Sequence, residues 1–161
     1  MNYAQIRNMD ISNGRGIGVS LYTSGCRFHC KNCFNYELWD LNYGKKFDDA
    51  AKELLFSSLE EPFVKRFTIL GGEPMIEENR NEVYNLLKEI KQKYPDKIIW
   101  LYSGYKYEEL LLIFPQIFEV IDILVDGQFR DAIKDFKLQF RGSSNQRMLT
   151  FDKNFDIIEV N

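Results

Sequence analysis

Cys26, Cys30 and Cys33 are the only thiols in the chain, and they share one short stretch with the spacing C-x3-C-x2-C. Thiolates grouped in this way are ligands for a soft metal centre. Three are one short of closing a tetrahedral site, and no cysteine elsewhere could supply a fourth ligand or a disulfide partner. An iron–sulfur cluster held by three cysteines keeps one iron open to a ligand from outside the protein. That vacancy makes the motif a place for chemistry. Two blander readings compete with it. A zinc site could recruit His29, but a ring adjacent to Cys30 in sequence would point away from a metal its neighbour holds. Zinc modules also bring a second ligand pair from a distance. An electron-transfer cluster ligated only by protein would want a fourth cysteine. The expectation is an open 4Fe–4S cluster on Cys26, Cys30 and Cys33.

Two other stretches carry reactive or ligand-binding groups. Gly71-Gly72-Glu73-Pro74 pairs two residues without side chains, which let the backbone approach a ligand, with an adjacent carboxylate suited to an ammonium group. Alone it is a common turn, and its weight comes from the cysteines. Arg141-Gly142-Ser143-Ser144-Asn145-Gln146-Arg147 is the densest polar run in the sequence. In isolation it reads as a solvated loop, yet its donors could grip a carboxylate, a ribose or a partner's backbone. Trp39, Trp100 and the many Phe read as core, and Glu77-Glu78 as a helix start or surface feature.

Positioning these groups requires alternating strands and helices. Val19–Thr23 is β-branched or aromatic and reads as a strand ending at the cysteine loop. Gly14, Gly16 and Gly18 before it read as a flexible lead-in. Phe47, Ala50, Ala51, Leu54, Leu55 and Leu59 recur at helical spacing. Phe67–Leu70 is a short buried strand. Asn79 with Glu82 forms a capping-box pattern before a helix carrying Val83, Leu86, Leu87 and Ile90. Ile98–Tyr102 is a third strand. Tyr107, Leu110, Leu111 and Phe114 mark a third helix, interrupted at Pro115, and Ile121–Val125 is a fourth strand. Beyond Gln128 the pattern weakens, until two short runs around Asp152-Lys153-Asn154 predict a closing β-hairpin. The order argues for parallel βαβ units, whose ligands collect at the carboxyl ends of the strands. The cysteine loop, Gly71-Gly72-Glu73, Ser103-Gly104 and Asp126-Gly127 all follow such ends.

At 161 residues the chain is short of the roughly 200 or more that a full eight-unit barrel needs. The fold expected is α/β, an open partial (β/α) barrel with a C-terminal β-hairpin, as one domain over residues 1–161. A net charge of −3 argues against a broad nucleic-acid surface. The apolar runs are too short for a membrane span, and no signal peptide is evident. Clustered free thiols fit a reducing cytoplasm.

Taken together the motifs closely resemble the activating proteins of anaerobic ribonucleoside-triphosphate reductases, small glycyl-radical activases of the radical S-adenosylmethionine type. The resemblance runs through Asp10-Ile11, Asn13-Gly14, Ser24-Gly25-Cys26, Cys30-x-x-Cys33-Phe34-Asn35, Gly71-Gly72-Glu73-Pro74, Trp100-x-Tyr102-Ser103-Gly104-Tyr105, Leu124-Val125-Asp126-Gly127 and Arg141–Arg147. Arg15 stands where that family typically has proline, Ser103 where it has threonine, and Asn32 where the wider superfamily often has an aromatic residue. The resemblance implies S-adenosylmethionine as a second cofactor. Asn32, Cys33, Phe34, Gly71, Gly72, Glu73, Ser103, Asn145 and Arg147 are the residues expected to bind it. It also implies a reaction: reductive cleavage yields a 5′-deoxyadenosyl radical, which removes hydrogen from a glycine Cα of the large reductase subunit. A low-potential donor such as a flavodoxin would supply the electron. A radical S-adenosylmethionine enzyme acting on a small metabolite is the alternative. The short tail after Asp126, with little to enclose a metabolite, disfavours it.

Overall fold

The computed structural model describes residues 1–160. In chain order its strands and helices are β1 (Asn2–Asp10), β2 (Gly18–Thr23), β3 (Lys45–Lys46), α1 (Asp49–Glu60), β4 (Arg66–Gly71), α2 (Arg80–Lys93), β5 (Ile98–Ser103), α3 (Tyr107–Ile113), β6 (Ile123–Asp126), β7 (Arg147–Phe151) and β8 (Ile157–Val160). The strands form one α/β sheet in the order β3-β1-β2-β4-β5-β6-β7-β8. β2, β4, β5 and β6 pair in parallel, as the alternating pattern requires. The outer strands run antiparallel, and the sheet is open, with β3 and β8 at its edges.

Alternation along the central strands separates two faces. Val19 and Leu21 of β2, Phe67 and Ile69 of β4, and Ile99 and Leu101 of β5 join one core with Leu55 and Leu59 of α1, Leu87 and Ile90 of α2, and Leu110 of α3. All three helices therefore cover the same side of the sheet. The opposite side carries buried Ser20, Tyr22, Arg66, Thr68, Leu70 and Trp100 with half-buried Tyr102, a mixture of polar and aromatic groups.

Several local expectations change. The sequence pattern does not predict β1, because Asn2–Asp10 holds a single β-branched residue, Ile6, and shows no clean alternation. Its register with β2 shifts between Tyr3/Gln5 and Arg7/Asp10, and Met9 takes a positive φ of 54°. Backbone pairing, not propensity, holds it in place. Asn79 does not cap α2 with its side chain; its Nδ2 donates instead to the Ser24 carbonyl at 2.8 Å, tying α2 to the cysteine loop. Glu82, the other half of the expected box, pairs with the N-terminal ammonium. α3 ends before Pro115, which opens a 3₁₀ turn over Pro115–Glu119. The terminal hairpin is present, but its connection is longer than expected. Asp152 donates its backbone N–H to the Asp156 carbonyl at 2.9 Å, and β7 extends the main sheet by pairing with β6.

The glycine-rich lead-in is not loose. An added Cβ at Gly14 would stand 2.5 Å from Arg66 Cδ, and one at Gly18 would stand 2.7 Å from Arg66 Cζ. Gly14 and Gly18 are glycine because the loop closes over that guanidinium, whereas Gly16 faces open space with a φ of 76°.

Candidate functional site

A cavity of about 260 Å³ opens where β2, β4, β5 and β6 end. Cys26, Cys30 and Cys33 all line it, together with Gly71, Gly72, Glu73, Ser103, Gly104 and Gly127. The strand-end rule thus brings four loops to one place, although they are far apart in sequence.

The cysteine loop is anchored from two directions. Gly25 donates its N–H to the Leu38 carbonyl at 2.8 Å, and Cys26 donates to Trp39 at 3.1 Å. Inside the loop, the Cys33 N–H donates to the Cys30 carbonyl at 3.1 Å, closing a tight turn. His29 and Asn32 reach that turn with φ of 47° and 56°, in the left-handed region. All three cysteines are partly exposed and free. Burial pushes the Cys26 thiol up to about 11, and burial together with the neighbouring Cys33 pushes the Cys30 thiol up as well. Thiolates here are costly without a compensating cation, and coordinated iron supplies one, since metal binding deprotonates a ligating thiol.

His29 takes no part in a ligand set. Its ring stacks on Trp39 with centroids 4.4 Å apart. Among the described residues no three His, Cys, Asp or Glu side chains converge on a site for one metal ion. The stacked His29 ring is engaged with Trp39, and the three thiols line one open cavity with the donor chemistry of an iron–sulfur group.

The glycines beside the cavity meet the chain itself. An added Cβ at Gly72 would lie 2.5 Å from the Gly25 carbonyl oxygen and 2.7 Å from that of Leu38. At Gly71, where φ is 118°, it would lie 2.6 Å from the Thr23 carbonyl oxygen. The close approach is cemented by hydrogen bonds from Gly72 N–H to Thr23 at 2.8 Å and from Glu73 N–H to Gly25 at 2.7 Å. The pair is glycine because the strand end and the cysteine loop pack backbone to backbone.

Glu73 is buried, and its carboxylate accepts from the Ser103 hydroxyl at 2.8 Å, the Gly104 N–H at 2.6 Å and the Met75 N–H at 2.9 Å. Burial pushes its carboxyl up to about 7 despite those three donors. A nearby ligand ammonium would favour the charged form, as any close positive charge does. Ser103 thus reaches the site through Glu73.

The remaining expected residues divide. Phe34 lines the cavity although its ring is largely exposed, and it leans towards Phe129 with centroids 6.2 Å apart. Asn32 is exposed and does not line the cavity; its Nδ2 donates to Asp131 at 2.7 Å. Asn145 donates to the Gln128 carbonyl at 2.8 Å and so braces the β6 loop. Arg147 is committed to carboxylates within the chain. Its Nε donates to Asp126 at 3.0 Å, and its two terminal nitrogens hold Glu108 at 3.0 and 2.8 Å. Asp126 in turn accepts the Tyr107 N–H at 2.8 Å, capping α3. From the same segment, Arg141, Gly142 and Gln146 reach the cavity wall.

Asn35, Trp39, Tyr102, Gln128 and Phe129 also line the cavity and were not singled out for a site. Trp39 was assigned to the core. Asn35 stands within the stretch Cys30-x-x-Cys33-Phe34-Asn35 and Gln128 directly follows Asp126-Gly127, which is the signal the sequence offers.

A family model described as "4Fe-4S single cluster domain" matches residues 12–149. The three-cysteine cavity on an α/β sheet thus falls in the class of 4Fe–4S single-cluster domains. An anaerobic ribonucleoside-triphosphate reductase-activating protein of Escherichia coli K12 is 37% identical over 148 residues, spanning 91% of this chain and 96% of its own. Proteins of the same name from enterobacteria phage T4 and Haemophilus influenzae are 34% and 36% identical, over 92% and 91% of this chain and 93% and 96% of their own. The chain belongs to the family of anaerobic ribonucleoside-triphosphate reductase-activating proteins.

Proposed function

We propose that residues 1–161 form one domain of the radical S-adenosylmethionine type, a partial (β/α) barrel, that installs a glycyl radical on an anaerobic ribonucleoside-triphosphate reductase. The observation that carries this reading is the convergence of Cys26, Cys30 and Cys33 with Gly71, Gly72 and Glu73 on one open cavity. The names of the relatives supply the partner. A cluster bound by the three thiolates supplies one electron for cleaving S-adenosylmethionine, and hence the means to take a hydrogen atom from a glycine Cα.

The chain's own residues bind and orient. Cys26, Cys30 and Cys33 would hold the cluster, and with no fourth cysteine it would keep a position open to the cofactor. Glu73, fixed by three donors, presents a carboxylate to the cofactor's ammonium. Phe34, Phe129 and Tyr102 provide apolar surface for the nucleoside end. Asn32, Asn145 and Arg147 support the walls that hold it, Arg147 by locking Asp126 at the end of β6. The open mouth suits a protein loop as substrate better than an enclosed metabolite, and glycine is the residue whose Cα no side chain shields. A low-potential protein such as a flavodoxin is the proposed electron source, in a reducing cytoplasm.

The test is anaerobic reconstitution with iron and sulfide, followed by S-adenosylmethionine and a low-potential reductant. The expected products are methionine and 5′-deoxyadenosine. Adding the reductase large subunit is expected to give a glycyl-radical signal in electron paramagnetic resonance. Cofactor cleavage without that signal would favour a metabolite substrate, and no cleavage by loaded protein would overturn the reading.

A further inference from the structure

Asn35 connects the two halves of the cavity. Its backbone N–H donates to Cys33 Sγ at 3.4 Å, and its side-chain Nδ2 donates to the Gly71 carbonyl at 3.2 Å. Its own carbonyl accepts the Leu38 N–H at 2.9 Å, at the start of the 3₁₀ turn Tyr36–Trp39. The residue is thus fixed on three sides, and one of its donors is aimed at a cysteine sulfur. The side chain is the link that a substitution can remove: without it, the N–H facing Cys33 is no longer tied to the end of β4.

We propose that Asn35 is a positioning residue that sets the reduction potential of the cluster by holding an N–H donor on the Cys33 sulfur. The inference rests on the function proposed above. Donors to cluster sulfurs stabilise the more negative, reduced state, so hydrogen bonds to the sulfurs are among the levers that set the potential. Backbone groups also hydrogen-bond Cys26 and Cys30, but the donor on Cys33 belongs to a residue whose own side chain is tied to Gly71. The same side chain fixes the Gly71 carbonyl, which leads directly into Gly72-Glu73. Asn35 therefore ties the position of the electron source to the position of the groups proposed to bind the cofactor. It does so from outside any ligand set.

The test uses the full chain, reconstituted anaerobically, in wild-type form and as Asn35→Leu and Asn35→Gln. Leu keeps the approximate size and removes the amide donor, whereas Gln retains it. The readouts are iron and sulfide content, the cluster's midpoint potential in a redox titration without S-adenosylmethionine, and its reduced-state paramagnetic spectrum. Asn35→Leu is expected to load iron as wild type does, with a more negative midpoint and an altered spectrum. Asn35→Gln is expected to lie between the two. An unchanged or more positive midpoint in Asn35→Leu overturns the proposal, as does a Gln variant indistinguishable from Leu. Failure of Asn35→Leu alone to hold iron would assign the residue to loop folding and would overturn it too. A wild-type protein that binds no cluster would instead sink the functional reading itself.

Discussion

At the carboxyl ends of the parallel strands the polar groups face a cavity, and at the amino ends they face one another. The floor is built on Arg66, fully buried at the start of β4. Its guanidinium donates to the Asp10 carbonyl at 2.6 Å and the Asn13 carbonyl at 3.0 Å, and it also bonds the Thr68 hydroxyl. Asp10 is ion-paired with it at 3.5 Å and accepts from Asn13 at 2.8 Å and from Ser20. Burial pushes the Asp10 carboxyl up, but hydrogen bonds from Ser20, Ser12 and Asn13, with the Arg66 charge, outweigh it and hold the group below its ordinary value. At the rim, by contrast, Glu73 and two of the thiols are pushed up. At the amino ends the Asp10 and Arg66 charges meet one another inside the chain. A rim whose charges await a cation is prepared for a cofactor.

Changes at the two ends should therefore break different properties. The largest effect belongs to the rim: Cys30→Ala is expected to abolish both cluster binding and S-adenosylmethionine cleavage. Iron analysis and visible absorbance after anaerobic reconstitution check this, and thermal unfolding of the metal-free protein should hardly change. Full activity in that variant would contradict the cluster assignment.

Next comes the floor. Arg66→Ala leaves Asp10 as a buried charge without its partner, and breaking such a pair costs about 3–5 kcal/mol. Denaturant melts of the metal-free protein should show a loss of that size. A variant of unchanged stability would mean that the floor contributes nothing to the fold.

The pH dependence sharpens the contrast. Glu73 has a folded-state value raised from 4.5 to about 7, so the folded state holds its proton more tightly than the unfolded chain. This contribution to stability is fully present below pH 4.5 and is lost as pH rises through about 7. At about 1.4 kcal/mol per tenfold it amounts to about 3 kcal/mol. Glu73→Gln is expected to flatten that part of the stability–pH curve of metal-free protein. Asp10 acts in the opposite sense, its contribution being present at neutral pH and lost only in acid, as pH falls through its lowered value. An unchanged curve in Glu73→Gln would show that the carboxylate is not desolvated.

The smallest effect is expected at Arg27 and Glu78, which pair on the exposed flank of the cysteine loop. Surface pairs of this kind contribute little. Arg27→Ala should change neither the melting temperature nor iron content, and a loss of cluster in that variant would make the pair part of the rim after all.

The central βαβ order, the cysteine motif and the four loops at strand ends were legible because each is a local signal: hydrophobic periodicity, fixed ligand spacing, and glycine at a strand terminus. Strand β1 was not legible, because its stability comes from pairing with β2 and its residues lack strand character. Arg147 was expected to face the ligand, but two carboxylates from β6 and α3 claim it first. Such a competition between partners cannot be read from one segment. Asn79 followed the same logic, leaving its own helix to bond Ser24. The sequence by itself determined which chemistry is possible, since three thiols at C-x3-C-x2-C spacing with no fourth can hold a cluster that keeps one iron open. Only the tertiary structure decided which polar groups remain available to it. A side chain bonds whatever the fold brings within reach, and Arg66 and Arg147 meet carboxylates of the chain where the cysteines meet open space.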